Sequence, residues 1–571
     1  MLRFVPFRLV LACLALGAVA FLRPAPAAAC GGFFCDNNTP VNQQAERIIF
    51  ATEADGSVTA VIEIQYEGPS ERFAWMLPVA GVPEVAISST AAFDRIQGAS
   101  NPTYMLQTEV EGTCRGDSGG RGRVFPGSAD SGGLGAEFDD GPTADSGVTV
   151  VDAGSVGPFD YVNIALDPDA ADLVAVAIEW LQDNGYDVPD LGSDVLSPYL
   201  EAGMNLLAFR LTKGNDAGSI RPVRLSFGEG LPAIPLRPTA VAATPDMGIL
   251  VWVLGESRAV PANYRSLELN EALIDWFRPG TTYDDVVTRA ANEAQGQGFV
   301  TEMSGPAPEL GAVIWSEGEG AQWNAMRAAD WTGLENELLA QIASSSFLGL
   351  DGMRDVIEAL VPPPAGVSPE DFAGCVECFL FDYRAGDIEG FEPDEFLAAV
   401  AEDVIAPLVE TQALFEAAAV QTRFYTTMSA DEMTMDPVFD FNPELGPYSK
   451  DHTARRVIEC SPAVWQDEAP WRVELDSGDV VRGRDNVWPF APGADEDMPA
   501  TSRIRRVGTS GEGDVAVDNT PAIAEALAEH NRTIPGPPRV DGFCAAGGSP
   551  AAGVGVLGLA LAALAFRRRR V

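Results

Sequence analysis

The run RIIFATEADGSVTAVIEIQY, Arg47 to Tyr66, constrains the fold more than any other stretch of the chain. Two apolar segments, rich in Ile and Val, flank Asp55-Gly56. Asp-Gly between such segments is the strongest short-range signal for a hairpin, because glycine adopts the positive φ that a tight turn demands. The period is that of strands. ERFAWMLPV (71–79) adds a third strand and TAAFDRIQG (90–98) a short helix.

The same reading continues downstream. GVTVVDAG and FDYVNIAL read as strands, Asp169 to Asn184 as an amphipathic helix, and NLLAFRLT, RPVRLSF, TAVAAT and ILVWVLG as further strands. From about residue 320 the spacing turns helical, through AQWNAMRAADWTGLENELLAQIASSS, MRDVIEALV and PDEFLAAVAEDVIAPLVETQALFEAAAVQTRFY. WRVELDSGDVVRG (471–483) is a last hairpin, around Ser477-Gly478. The chain is therefore α+β: a mixed sheet-rich N-terminal region, a helical region, then a short β segment. Its segments are 1–29, a signal peptide; 30–315, the sheet-rich domain, with a Gly/Ser/Asp-rich insertion at 112–147; 316–430, helical; 431–530, mixed with a hairpin; 531–544, a linker; and 545–571, a membrane-spanning sorting tail.

Both ends carry export chemistry. Arg3 and Arg8 precede an apolar run, Leu9 to Leu22, and Ala27-Ala28-Ala29 offers a cleavage site before Cys30. That run is shorter than the roughly 20 residues of a spanning helix. At the other end Cys544 precedes an Ala/Gly-rich apolar stretch, and Arg567 to Arg570 follow it as a cytoplasmic stop. This order resembles the MYXO-CTERM type of bacterial sorting tail. The resemblance implies a membrane sorting protease as partner, beside signal peptidase, and delivery to the cell surface. Gly553 to Gly558 spells GxGxxG, but inside this apolar run it lacks the strand, helix and later acid of a dinucleotide site.

The formal charge is −46. Without the arginines of the two ends, 30 basic face 83 acidic side chains. Such a surface repels nucleic acid and anionic membranes. The membrane enters only through the tail. No calcium-loop pattern occurs, and His452 and His530 are the only histidines, so no metal or cofactor site is read. Cys30, Cys35, Cys114, Cys375, Cys378 and Cys460 make up to three disulfides in an exported chain, with Cys30–Cys35 the local pairing. Cys375-Val-Glu-Cys378 is alternatively a redox pair, although SPEDFAGCVECFLF reads as one helix already under way, capped at Ser368.

Gly116-Asp117-Ser118-Gly119-Gly120 matches the nucleophile segment of chymotrypsin-like proteases. A serine needs a base to take its proton and a carboxylate to orient that base. No histidine precedes Ser118, so no catalytic residue is assigned. The overlapping RGDS is a short match in a Gly/Ser/Asp-rich loop. His452, in SKDHTARR, reads as an exposed loop residue. Trp75, Trp180 and Trp252 read as core.

Several phrases occur together: CGGFFCDNNTPVNQQAERIIFA, FAWMLPV, VGPFDYVNIAL, WLQDNGYDVPD, TPDMGILVWVLGESRAVPANY and TMDPVFDFNPELG. They resemble the exported bacterial family of unknown function catalogued as DUF2330, from about Cys30 to Cys460. The resemblance implies an exported envelope protein and carries over no catalytic residue. The expected function is a structural or binding role at the cell envelope. A hydrolase using unidentified acids and a thiol-redox protein using Cys375 and Cys378 are the alternatives.

Overall fold

A computed structural model describes residues 42–67, 74–115, 148–170, 172–184, 186, 193–211, 220–241, 243–380, 388–490 and 498–537. The signal peptide with Ala29, Cys30 and Cys35, the GDSGG segment, the GxGxxG run and the tail with Cys544 lie outside these residues. Among the described residues no helix is long and apolar enough to cross a membrane.

In chain order the strands are β1 (Asn42–Thr52), β2 (Ser57–Glu67), β3 (Ala74–Val79), β4 (Glu84–Ile87), β5 (Thr103–Glu111), β6 (Val148–Val156), β7 (Phe159–Leu166), β8 (Asn205–Leu211), β9 (Val223–Glu229) and β10 (Ala243–Gly255). They continue as β11 (Ala259–Pro261), β12 (Arg265–Leu269), β13 (Gly298–Pro306), β14 (Val420–Met428), β15 (Phe439–Phe441), β16 (Asp451–Glu459), β17 (Trp471–Leu475), β18 (Val480–Gly483), β19 (Thr501–Arg506) and β20 (Asp514–Asp518). The fold is mixed α+β, sheet-rich at the N-terminal side, helical in the middle and stranded again toward the C-terminus.

β1 and β2 form the expected hairpin, with Thr52 opposite Val58 and Gly56 at φ +85°. The hairpin sits inside a ten-stranded sheet of order β20-β19-β12-β13-β14-β10-β1-β2-β9-β4. β1 lies parallel to β10, which is antiparallel to β14. Strands from before residue 315, from 420–428 and from beyond 500 thus share one sheet.

The central strands are apolar on both sides because both faces are covered. Ile249, Val251 and Val253 of β10 join the core that packs against a second sheet, β3-β8-β7-β6, with Trp75 and Phe209. Leu250, Trp252 and Leu254 face the helices inserted between β13 and β14. There Phe347, Phe372, Phe396 and Phe415 are fully buried, and each stabilises by about 2–3 kcal/mol. A third core joins helix Tyr283–Glu293 and helix Thr520–Thr533 to a sheet of order β18-β17-β16-β5, in which β5 and β16 run parallel.

Three local expectations change. TAVAAT is not a strand of its own: helix Leu236–Thr239 ends in it, and β10 begins at Ala243. QTRFY is not the end of a helix but the start of β14. Ala418 turns extended, at φ −91° and ψ 146°, and stops helix Ala406–Ala417. The β-branched and aromatic residues of VQTRFYTTM then favour a strand. Finally, the helix capped by Ser368 ends at Gly374, because Cys375 leaves the helical region, at φ −152° and ψ 71°, and a second short helix runs from Val376 to Phe379.

Candidate functional site

A cleft of about 420 Å³ opens on the helical face of the ten-stranded sheet. The sheet register makes its floor. Arg47 of β1, Leu250 of β10 and Tyr425 of β14 stand opposite one another in a single row. Arg423 lies two residues before Tyr425 and so on the same face. Helix Thr90–Ser100 supplies Gln97, the turn after it Asn101, β5 supplies Tyr104, and helix Tyr283–Glu293 supplies Tyr283 and Asp284.

Glu302 reaches the cleft through a bulge. The pairing of β13 with β14 shifts between Thr301 and Met303, which leaves Glu302 as the extra residue. A bulge bends the strand and re-aims a side chain. Glu302 is 2% exposed and meets the buried Arg423, whose Nε lies 2.6 Å from Oε2. Tyr283 donates its hydroxyl to the other carboxylate oxygen. Burial pushes the Glu302 carboxyl up against the pull of Arg423 and Tyr283.

Both guanidiniums in the cleft are tethered. Arg423 also donates to Ser100 Oγ at 2.9 Å and Asn101 Oδ1 at 2.8 Å, and it covers the Trp252 ring at 5.5 Å. Arg47 pairs with Glu63, directly opposite on β2, and donates to Asp94 and Gln97 at 2.8 Å each. Burial works to lower the Arg47 pKa, but the two carboxylates outweigh it and the pKa is raised.

Three half-buried tyrosines line the remaining wall. Tyr283 and Tyr425 stack in parallel with centroids 6.4 Å apart. Tyr104 is clamped between His452, stacked at 4.7 Å, and the edge of Trp276 at 5.1 Å. The parallel register sets His452 directly opposite Tyr104. Burial first, then neighbouring carboxylates, pushes all three phenols up, so they stay neutral donors.

His452 is therefore not an exposed loop residue. It is the second residue of β16, its side chain is 19% exposed, and its Nδ1 lies 2.6 Å from Glu271 Oε1. Sequence reading missed it because its partner lies 181 positions away.

Glu46 is the anomaly of the site. It lines the cleft and also a smaller cavity of about 60 Å³ walled by Ile48, Phe50, Leu77 and Ile234. It is 5% exposed, and its Oε2 has no hydrogen-bond partner among the described residues. Burial pushes its carboxyl up to about 7.

The cysteines lie elsewhere. Cys114 and Cys460 are joined just beyond the paired ends of β5 and β16, with Cα atoms 4.7 Å apart. Cys375 and Cys378 are joined to each other. Trp75 and Trp252 are buried in the cores and Trp180 is partly buried. Among the described residues no group of three His, Cys, Asp or Glu side chains is placed to hold a metal.

A family model described as an uncharacterized protein conserved in bacteria, DUF2330, matches residues 24–312. The match ends well before Cys460, so TMDPVFDFNPELG lies beyond it. It contains Glu46, Arg47, Tyr104, Tyr283 and Glu302, whereas Arg423, Tyr425 and His452 come from the chain that follows. No curated protein and no solved structure matches the chain.

Proposed function

The chain belongs to the DUF2330 family, and on that premise we propose that it is an exported cell-envelope protein that binds a neutral, hydroxyl-rich ligand, of the saccharide class, in the tyrosine-lined cleft. Export rests on the leader that ends at Ala29, a substrate for signal peptidase, and on the tail after Cys544, a substrate for a membrane sorting protease.

The observation that carries the binding reading is that both guanidiniums of the cleft are already paired. Arg423 is held by Glu302, and Arg47 by Glu63 and Asp94. Tyr283 is bonded to Glu302 and Tyr425 to Asp284. An anionic ligand would have to draw a guanidinium out of one of these pairs. A neutral polyol would not, and it gains ring faces together with the planar amides of Gln97 and Asn101. The test is calorimetric titration of the mature protein with neutral, anionic and cationic oligosaccharides. Binding confined to neutral ones is expected. Binding of charged ones alone, or of none, refutes the reading.

One observation favours a second reading, a hydrolase. Glu302 lines the cleft and burial raises its carboxyl, as a general acid requires. Hydrolysis of a bound oligosaccharide that disappears in Glu302→Gln would establish it, whereas binding without turnover would exclude it.

A further inference from the structure

The two disulfides differ in a way that separates structure from chemistry. Cys114 and Cys460 are 5% and 7% exposed, and their bond spans 346 positions. Cys375 is half-buried and Cys378 exposed, and their bond spans three. The constraint that a cross-link puts on the unfolded chain grows with the logarithm of the loop it closes, so the short bond contributes least to stability. The segment is held without it: Phe372, Ala373 and Val376, within and between the cysteine-bearing turns, are buried in the helical core.

From this we infer that Cys375 and Cys378 form a thiol–disulfide exchange site that reduces accessible disulfides of other exported proteins. A thiolate from a small dithiol donor attacks the exposed Cys378 sulfur. The Cys375–Cys378 bond breaks, a mixed disulfide forms on Cys378, and Cys375 leaves as thiolate. The donor's second thiolate then attacks its own sulfur in the mixed disulfide and departs as a cyclic disulfide. Two electrons have passed to the protein, and two protons leave the donor for the two cysteines. The reverse sequence, begun by the exposed Cys378 thiolate, delivers both electrons to a substrate disulfide and restores Cys375–Cys378. Glu377 lies between the cysteines and Glu370 and Asp371 on the preceding helix. Their negative charge disfavours thiolates, so the disulfide is the preferred state and the reduced pair gives up electrons readily.

The experiment treats the folded, oxidised protein with a dithiol without denaturant, alkylates free thiols, and maps them by mass spectrometry. The same protein is then assayed for dithiol-driven reduction of insulin disulfides. Of the four cysteines in these two bonds, alkylation at Cys375 and Cys378 alone is expected, with an insulin rate that Cys378→Ser reduces at least tenfold. The double variant Cys375→Ala, Cys378→Ala should melt with the parent and be equally inactive, which ties the loss to the sulfurs. Alkylation of Cys114 and Cys460 at the same dithiol concentration, or an insulin rate unchanged in Cys378→Ser, overturns the inference.

Discussion

Replacing Glu46 with glutamine removes a buried carboxyl whose Oε2 the described protein leaves unsatisfied. Its pKa moves from 4.5 in the unfolded chain to about 7 in the fold, and the cause is burial. One unit is about 1.4 kcal/mol, so ionising this group inside the fold costs about 3 kcal/mol more than in the unfolded chain. The sign follows from linkage. Between the two pKa values the folded state binds more protons than the unfolded state, so stability falls as pH rises through that window and the full penalty stands above it. Glutamine never ionises and escapes the penalty. Urea unfolding of parent and Glu46→Gln at about pH 4 and about pH 8 reads the difference. Relative to the parent, the variant should gain about 3 kcal/mol between the lower and the higher pH. An identical difference at both pH values would refute the buried-carboxyl account.

Three further outcomes follow from the same structure. The double variant Cys114→Ser, Cys460→Ser releases a 346-position closure, so urea unfolding should show a loss approaching about 6 kcal/mol on the chain-entropy relation, and a loss under about 1 kcal/mol would mean that β5 and β16 hold themselves together. Arg423→Met strands a buried Glu302 carboxylate and should cost about 3–5 kcal/mol, with much of that recovered in Arg423→Met, Glu302→Gln; additive losses would show that the pair is not coupled. Intact-mass measurement on fractionated cells should find a chain beginning at Cys30 and lacking the residues after the tail cleavage; a product retaining 545–571 in the inner membrane would end the sorting proposal.

The sequence exposed what depends on local period and turn chemistry. Asp55-Gly56 and Ser477-Gly478 each mark a hairpin, with Gly56 and Gly478 at positive φ. The Ser368 cap and the strand ILVWVLG were equally readable. The cleft was not, because its parts meet through long-range pairing. Glu302 stands in a bulge that no pattern marks. Arg423 and Tyr425 were hidden in QTRFY, where an alanine-rich helix runs into a strand with only Ala418 and Ala419 between them. His452 meets Glu271 and Tyr104 only because β16 docks parallel to β5, a pairing of strands more than 300 residues apart. The charge that looked like plain surface, 83 acids in all, concealed the two buried carboxyls that matter, since only burial and pairing tell them from the rest.

Recognition of a neutral ligand through the tyrosine faces of the cleft is read by the affinity of the mature protein and of Tyr283→Ala for a neutral oligosaccharide, measured at low and at high salt. A lost aromatic contact is worth about 0.5–1.5 kcal/mol, so affinity should fall by about 2- to 13-fold in the variant. Salt should leave the affinity of the parent unchanged, because no net charge is neutralised on binding. Binding that weakens steeply with salt, or that Tyr283→Ala leaves intact, would contradict the account.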